Sequence, residues 1–549
     1  MQKLLSKKYY IAFILSLCLF FAVIVSIHSY YNLKSITQPA SDMWGRNTSL
    51  GANDLFKKQP SIIIGERYTD VLTTNKSNFT HIRIDRLNRE TTEKIIKLKD
   101  VESYRVLKFE WDANNIYYIE SNNLYFSTKN TKGGYSAKTK IADGVKDFDL
   151  LNAKDEVILA ATQIDGVILY RLTEKGFEPY GTKFEIDKIS NLAAVQDNKG
   201  IIHIAAYGEI SSVDFPVYYI TFQDEKWSML GSVTERSLSA SWSIDDIDIG
   251  IDDTDAYIFY QMVKWDKFGS SAKTHNAVVP LYSGNVELKF SRFYIAEEDA
   301  KNSDSYLNEP KVIKDQRDQV NLTIVKDTYD KKYANGFSSY FVTMDNGKVI
   351  STARVTKNQR LVVNTANGYY KDDNVFMFLD AAGGFNYEAF YTETGKAYNE
   401  NAIKFTKEDL GIAIMDTIPS YIATTIITFV KLMIYFPVLL WFLIVEFFEI
   451  KKFKDKPKQA YSIGLILYLI IKIVTFGTYY TEVSISQMPP FLTFTGANYF
   501  YAVVIAVIAL YIQKLLKKHN PELHMITEFL VFALIDVVFT NLLFAVYLI

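Results

Sequence analysis

The chain carries two hydrophobic patterns: long uncharged stretches near its ends and short apolar runs between them. Tyr9–Ile27 contains no charged residue, and four further apolar segments occupy about 419–446, 461–479, 491–512 and 526–549. A helix needs about 20 mostly apolar residues to cross the hydrocarbon core of a bilayer. The pattern therefore predicts five membrane-spanning helices, the last four of which form a bundle.

The first apolar stretch follows three lysines, Lys3, Lys7 and Lys8. It is longer than the apolar part of a cleavable signal peptide, and Ser26–Ser29 matches a small-residue cleavage site poorly. We therefore expect residues 1–8 to be a cytoplasmic N-terminus and residues 9–28 to be an uncleaved signal anchor. A removed signal peptide is the alternative.

Lysines mark alternate membrane boundaries. The loop 451–458 reads KKFKDKPK and the loop 513–524 contains KLLKK, whereas Tyr479–Pro490 contains no Lys or Arg. Short loops rich in Lys and Arg stay on the cytoplasmic side of a membrane. This predicts a multi-pass protein of the cell membrane with a cytoplasmic N-terminus. Residues 29–416 and the C-terminus are then extracytoplasmic.

The long segment between the first and second spans has the pattern of β-structure. Apolar runs of a few residues, such as Asn115–Glu120 and Val157–Ala160, alternate with turns rich in Asp, Asn, Gly and Lys. This alternation is typical of antiparallel strands. We predict an all-β domain over residues 29–405 and a connector over 406–418. Thr406 and Asp409 in the connector have the spacing of a capping box.

One strand–turn–strand–turn–strand unit recurs along the β-domain. Its copies begin near Ser61, Leu107, Asp149, Leu192, Ile247, Lys311 and Leu361. The spacing is about 42 residues for the early copies and longer for the later ones. Four-stranded sheets with such a period resemble the blades of a β-propeller. We therefore predict a propeller of about seven blades, with a pair of sandwiches or a β-helix as the alternative.

Charge separates the two kinds of segment. The whole chain has 60 Lys and Arg, 62 Asp and Glu, and a mean hydropathy of +0.00. Of these, 47 basic and 55 acidic residues lie between positions 29 and 416, so the β-domain is acidic and the ends are basic. The chain lacks the basic excess of a nucleic-acid-binding protein. Its single cysteine, Cys18, excludes an internal disulfide, and the Lys-, Ile-, Asn- and Tyr-rich composition suggests a bacterial source.

Motifs of catalysis are missing. The sequence contains no His-Glu-x-x-His pair, Gly-x-Ser-x-Gly elbow, phosphate-binding loop or dinucleotide fingerprint, so it gives no reason to name an enzyme or a cofactor. Calcium is the one candidate ion because it prefers clustered carboxylates. The densest cluster contains Asp246, Asp248, Asp252, Asp253 and Asp255. Because Asp246 and Asp248 alternate with isoleucines and 252–255 has the composition of a turn, the favoured interpretation is a solvated strand face followed by a turn, with calcium as the alternative.

Five polar residues fall inside the C-terminal apolar segments: Lys431, Lys472, Asn498, Asp536 and Asn541. An unpaired charge in mid-membrane costs about 2.5–3.5 kcal/mol on insertion scales. We therefore expect Lys431 or Lys472 to pair with Asp536. One interpretation is that such a pair fixes the packing of the bundle. The other is that it acts as a proton or ion relay, or as a docking site for another membrane subunit.

Two function classes remain open. The first is a membrane-anchored extracytoplasmic binding, sensing or assembly protein that works with the lipid bilayer and a protein partner in the membrane or cell envelope. The second is a subunit of a membrane transporter or membrane enzyme that uses the intramembrane lysines and Asp536. No nucleic-acid partner is expected.

Overall fold

In the computed structural model of the chain, strands occupy the middle and helices lie toward both ends. The chain divides into two units, Pro39–Lys404 and Met1–Gln38 with Phe405–Ile549. The structure describes residues 19–548 other than 20, 35, 52–54, 56–57, 132, 154–155, 237–240, 267–268, 283, 297–298, 300–305, 315–318, 329–335, 358–360, 384–385, 403, 448–452, 454–455, 482–483, 486–487 and 520–523. Predictions for residues 1–18, Cys18 included, and for most of the loop 451–458 lie outside the described residues.

The strands of the first unit form seven antiparallel sheets over the described residues. Blade 1 contains β2 (Ser61–Ile64), β3 (Tyr68–Thr74), β4 (Phe79–Asp85) and β5 (Thr91–Ile96). Blade 2 contains β6 (Val106–Trp111), β7 (Asn115–Glu120), β8 (Asn123–Thr128) and β9 (Thr139–Asp143). Blade 3 contains β10 (Val145–Ala153), β11 (Glu156–Gln163), β12 (Gly166–Thr173), β13 (Gly176–Pro179) and β14 (Phe184–Glu185).

The remaining blades continue in chain order. Blade 4 contains β15 (Ile189–Gln196), β16 (Ile202–Gly208), β17 (Asp214–Gln223) and β18 (Lys226–Arg236). Blade 5 contains β19 (Trp242–Ile251), β20 (Asp255–Asp266), β21 (Gly269–Pro280) and β22 (Ser291–Arg292). Blade 6 contains β23 (Leu307–Val312), β24 (Val320–Thr328), β25 (Gly336–Asp345) and β26 (Lys348–Arg354). Blade 7 contains β27 (Val363–Tyr370), β28 (Asp373–Gly383), β29 (Asn386–Glu393) and β1 (Thr48–Ser49).

This arrangement confirms the seven-bladed propeller. The first strand of every blade begins within about five residues of a predicted repeat start. The hydrophobic cores lie between neighbouring blades. In one of them, Ala205 and Tyr219 of blade 4 pack with Ile249 and Ile258 of blade 5. Alternating apolar residues thus supply the contact surface between successive sheets.

The ring closes through its first strand. β1 pairs with β29, with Thr48 opposite Tyr391, and so becomes the outer strand of blade 7. Trp44, which precedes β1, is 1% exposed and packs near Phe341 and Phe376. The start of the domain therefore completes its last sheet.

A buried polar network joins blade 7 to blade 1. Arg86, just after β4, donates through Nε to Glu393 at 2.9 Å and through Nη2 to Asp373 at 2.6 Å. The Tyr391 hydroxyl also donates to Glu393. The side chains of Arg86 and Glu393 are 6% and 2% exposed. Burial raises the pKa of Glu393, and Arg86 opposes that rise.

The second unit is helical. Residues 21–34 are helical. The short helix α1 (Lys396–Ala402) belongs to the propeller unit. The helical unit continues with α2 (Lys407–Ile434), α3 (Phe436–Phe447), α4 (Pro457–Phe476), α5 (Ala497–His519) and α6 (Met525–Phe544). By length and composition, four described helices could cross a membrane: Asp409–Ile434, Pro457–Tyr479, Ala497–Lys518 and Met525–Leu548. Phe436–Phe447 is a shorter apolar helix.

Local sequence explains where α2 begins and ends. Thr406 and Asp409 form a complete capping box, so most of the predicted connector is the first part of this helix. The helix ends at Ile434, and α3 starts at Phe436. Pro437 has no N–H to donate to the preceding turn, which accounts for the interruption.

Close contacts hold the helices of this unit together. A Cβ atom at Gly464 of α4 would lie 2.2 Å from the ring of Phe442 in α3, so glycine permits this approach. The N-terminal helix contacts α2, with Asn32 donating to Thr417 at 2.8 Å. His28 Nδ1 lies 2.5 Å from the Tyr421 hydroxyl.

Candidate functional site

A cavity of about 810 Å³ lies in the propeller and is lined by residues from the first strand of all seven blades. We refer to it as the central channel. Six of these first strands have a break in pairing register near their start, at β6, β10, β15, β19, β23 and β27. Bulges of this kind change the direction of the side chains that follow them. This local feature thus recurs in six of the seven first strands that line the channel.

Carboxylates of the channel connect one blade to the next. An acidic side chain on one first strand accepts a hydrogen bond from a backbone N–H of the following first strand. The pairs are Glu110 with Leu150 (3.0 Å), Asp147 with Leu192 (3.0 Å), Asp149 with Ala194 (2.7 Å), Asp248 with Val312 (2.7 Å) and Glu309 with Asn364 and Thr365 (both 2.9 Å). These bonds satisfy strand N–H groups and fix the carboxylates in place.

Three lysines neutralise part of this negative charge. Lys108 donates to Asp147 at 2.9 Å, and Lys311 lies 2.7 Å from Asp246. Lys314 reaches from blade 6 to Asp149 of blade 3, and its Nζ lies 3.8 Å from Asp248 of blade 5. Because blades 3 and 6 are not neighbours, the Lys314 side chain crosses the channel.

The pKa values of the channel groups reflect this crowding of charge. Burial raises the pKa of Glu110 to about 7, although Lys108 opposes the rise. Burial likewise raises the pKa values of Asp248 and Glu309. Burial alone would lower the pKa of Lys314, but Asp149 and Asp248 raise it above its ordinary value. The lysine is therefore held in its charged form.

The acidic segment in β19 and the turn after it divides between two environments. Asp246 and Asp248 line the channel, and Asp248 is buried rather than solvated. Asp252 instead caps its own turn: its Oδ1 accepts from the N–H groups of Thr254 and Asp255. Its Oδ2 accepts from the Tyr257 hydroxyl at 2.7 Å. The carboxylates of this segment therefore do not converge on a single position.

The other two carboxylates of that segment lie in the turn. Asp253 is exposed, and Asp255 accepts from the Thr254 hydroxyl at 2.8 Å. Among the described residues, no group of three or more His, Cys, Asp or Glu side chains is arranged to hold a metal ion. Calcium binding by this segment stays a prediction from sequence.

In the helical unit, Lys472 and Asp536 form a buried ion pair. Lys472 Nζ lies 2.6 Å and 2.8 Å from the two carboxylate oxygens of Asp536, and the side chains are 1% and 0% exposed. The Tyr468 hydroxyl donates to the same carboxylate. The Tyr435 ring, at the interruption between α2 and α3, stacks on Tyr468 with ring centroids 4.2 Å apart. Of the two candidate lysines, Lys472 is the one against Asp536.

Lys431 and Asn541 belong to a second group. Lys431 donates to the Thr478 hydroxyl at 2.7 Å, and its Nζ lies 4.3 Å from the centre of the Tyr479 ring. The Tyr479 hydroxyl donates to Asn541, which donates to Thr428 at 2.9 Å. Among the described residues, Asn498 has no hydrogen bond to the other four predicted polar residues. The five residues therefore do not form one network.

Some site residues were missed at the level of sequence. In the channel these are Lys108, Glu110, Asp147, Asp149, Glu309, Lys311 and Lys314. A charged–apolar–charged triplet at the start of a repeat, as in Lys108–Glu110 and Asp147–Asp149, was the available signal. In the helices, Glu528 was missed; it accepts from Gln513 at 2.7 Å and from Lys517.

Comparisons with known proteins give only distant structural similarity. The sequence matches no protein-family model and no curated protein. An ulvan lyase described as a new family of polysaccharide lyase has a TM-score of 0.45 at 10% identity, covering 67% of this chain and 99% of that chain. The polysaccharide lyase Uly1 has a TM-score of 0.39 at 9% identity, covering 61% and 89%. A protein of unknown function from Dyadobacter fermentans has a TM-score of 0.36 at 11% identity, covering 65% and 98%. Similarities of this size carry no argument about activity.

Proposed function

We propose that this chain is a membrane-anchored binding protein whose propeller lies outside the cytoplasm and works with a protein partner in the membrane or cell envelope. The observation that carries the proposal is the central channel. Its volume of about 810 Å³ falls within the range of small-molecule sites. Its polar groups are fixed by hydrogen bonds between blades, which suits recognition of a polar ligand.

The proposed membrane arrangement rests on the apolar helices and the lysine-rich loops. Four described helices are long and apolar enough to span a bilayer. Lysines concentrate in 451–458 and 513–524, which supports a cytoplasmic location for those loops under the positive-inside rule. The uncleaved signal anchor would supply the other attachment of the propeller. The lipid bilayer is then the first partner of the chain.

Cysteine labelling tests this orientation. The chain has one cysteine, so a Cys18→Ser background is free of thiols. We expect a membrane-impermeant maleimide to label Lys226→Cys, on the exposed part of β18, in intact cells. Lys458→Cys and Lys518→Cys, also exposed, serve as matched controls and should react only after the membrane is permeabilised. Labelling of Lys458→Cys in intact cells would contradict the proposed topology.

The alternative is a transporter or membrane-enzyme subunit, and the buried Lys472–Asp536 pair favours it. Affinity purification of the full chain in mild detergent separates the two functions. The binding function predicts a partner that co-purifies in a fixed ratio. The alternative predicts that the chain purified alone retains an activity. Recovery of the chain with neither a partner nor an activity would count against both.

A further inference from the structure

The central channel contains one ammonium group, that of Lys314, held against two carboxylates, and a third carboxylate, Glu110, is bonded to the strand that carries the first of them. Glu110, Asp149 and Asp248 come from blades 2, 3 and 5. Lys314 donates to Asp149 and lies 3.8 Å from Asp248. Lys314 is 165 residues away from Asp149 in sequence and reaches across the channel. The fold thus already holds a primary ammonium at this point.

Backbone bonds preorganise these carboxylates. Asp248 Oδ2 accepts from Val312 N at 2.7 Å, and Oδ1 faces Lys314. Glu110 Oε2 accepts from Leu150 N at 3.0 Å, and Oε1 faces Lys108 at 3.6 Å. Since the carboxylates are already held in place, a cation that enters the channel meets acceptors that need little rearrangement.

The channel also has more acidic than basic side chains. Its described lining contains seven Asp or Glu residues and five lysines. This surplus of carboxylates, held in place by backbone bonds, suits a ligand that brings both positive charge and N–H groups.

We propose that the central channel binds an organic ligand through a protonated primary amine, which takes the position of the Lys314 ammonium between Asp149 and Asp248. This inference rests on the proposed binding function of the propeller and names the ligand class. A primary ammonium has three N–H donors for the carboxylate oxygens, whereas a quaternary ammonium has none. Lys314 is 29% exposed and sits on a flexible stem, so it can yield its place to a ligand.

Removal of the Lys314 side chain tests the proposal in the full-length protein purified in detergent. Lys314→Ala should lower the melting temperature by roughly 2–5 °C, because it leaves buried carboxylates without their cation. n-Propylammonium, which replaces the atoms removed from the side chain, should at tens of millimolar raise the melting temperature of Lys314→Ala most of the way back to the wild-type value. Tetramethylammonium has the same charge without N–H groups and should not restore it.

Two further variants serve as controls. Lys138→Ala removes a lysine of similar exposure that pairs with Glu120 at 2.6 Å outside the channel. Its melting temperature should not respond to n-propylammonium. The response should also be lost in Lys314→Ala/Asp149→Asn. If Lys314→Ala fails to fold, a saturable rise in the wild-type melting temperature with n-propylammonium, absent in Asp149→Asn, supports the proposal.

Three results would overturn the amine site. They are the absence of a saturable response in the wild type, an equal response to tetramethylammonium, and a response to calcium chloride in place of n-propylammonium. The measurements in detergent do not depend on membrane orientation or on a partner. A negative result therefore rejects the amine ligand and leaves cysteine labelling to decide the proposed function.

Discussion

Replacement of Arg86 by methionine is expected to lower the free energy of unfolding of the propeller by about 3–5 kcal/mol. The substitution leaves Glu393, which is 2% exposed, without its cation. It also removes the bonds from Arg86 to Asp373 and to the Gly65 carbonyl. The loss should be large because a single buried charge is left unpaired at the junction where blade 7 meets blade 1.

Denaturant unfolding of the full-length protein in detergent, followed by tryptophan fluorescence, measures this loss. Lys371→Met is the matched control, because Lys371 and Glu66 form an ion pair between the same two blades. Those side chains are 63% and 79% exposed, so their separation should leave the unfolding midpoint unchanged. Arg86→Met/Glu393→Gln should recover part of the stability. An unchanged midpoint for Arg86→Met would show that the ring does not depend on this network.

The second large effect concerns the buried ion pair of the helices. Lys472→Met should lower the stability of the helical unit by about 3–5 kcal/mol, because among the described residues only the Tyr468 hydroxyl then bonds the Asp536 carboxylate in an apolar bundle. Lys472→Met/Asp536→Asn, which removes both charges, should recover much of the loss. The temperature at which the protein aggregates in detergent, monitored by size-exclusion chromatography, should fall in Lys472→Met and recover in the double variant.

Lys431→Met is the control for this pair. Lys431 donates to a hydroxyl group, that of Thr478, so its loss leaves no buried carboxylate behind and should cost less. Equal destabilisation by Lys431→Met and Lys472→Met would contradict the assigned role of the pair. A double variant that is as stable as the wild type but no longer co-purifies with a partner would show that the pair does more than hold the helices together.

The propeller was predictable because its signal is local. Each repeat start, such as Leu107 or Leu192, is marked by apolar runs and polar turns that follow one another within a few residues of the chain. The polar contacts of the central channel were not predictable, because they join residues that are far apart in sequence. Lys314 and Asp149 are 165 residues apart, and Asp248 and Val312 are 64 apart. No pattern along the chain marks these residues as neighbours.

The helical unit shows a similar limit. Hydropathy placed a span over about 419–446, but the structure divides that segment between α2 and α3. The capping box at Thr406 and Asp409 was visible in the sequence and does mark a helix start. The contact of Lys472 with Asp536 depends on how α4 and α6 pack, which hydropathy alone does not determine.

The position of β1 in blade 7 has a consequence for synthesis of the protein. Thr48 reaches Tyr398 in the finished ring, and these residues are 350 positions apart. At ribosomal rates of about 5–20 residues per second, Thr48 leaves the ribosome roughly 20–70 s before its partner. During that interval six blades can form while their ring stays open. We therefore expect the return of the earliest strand to be the last step of folding, and an open ring to be the form most exposed to misassembly.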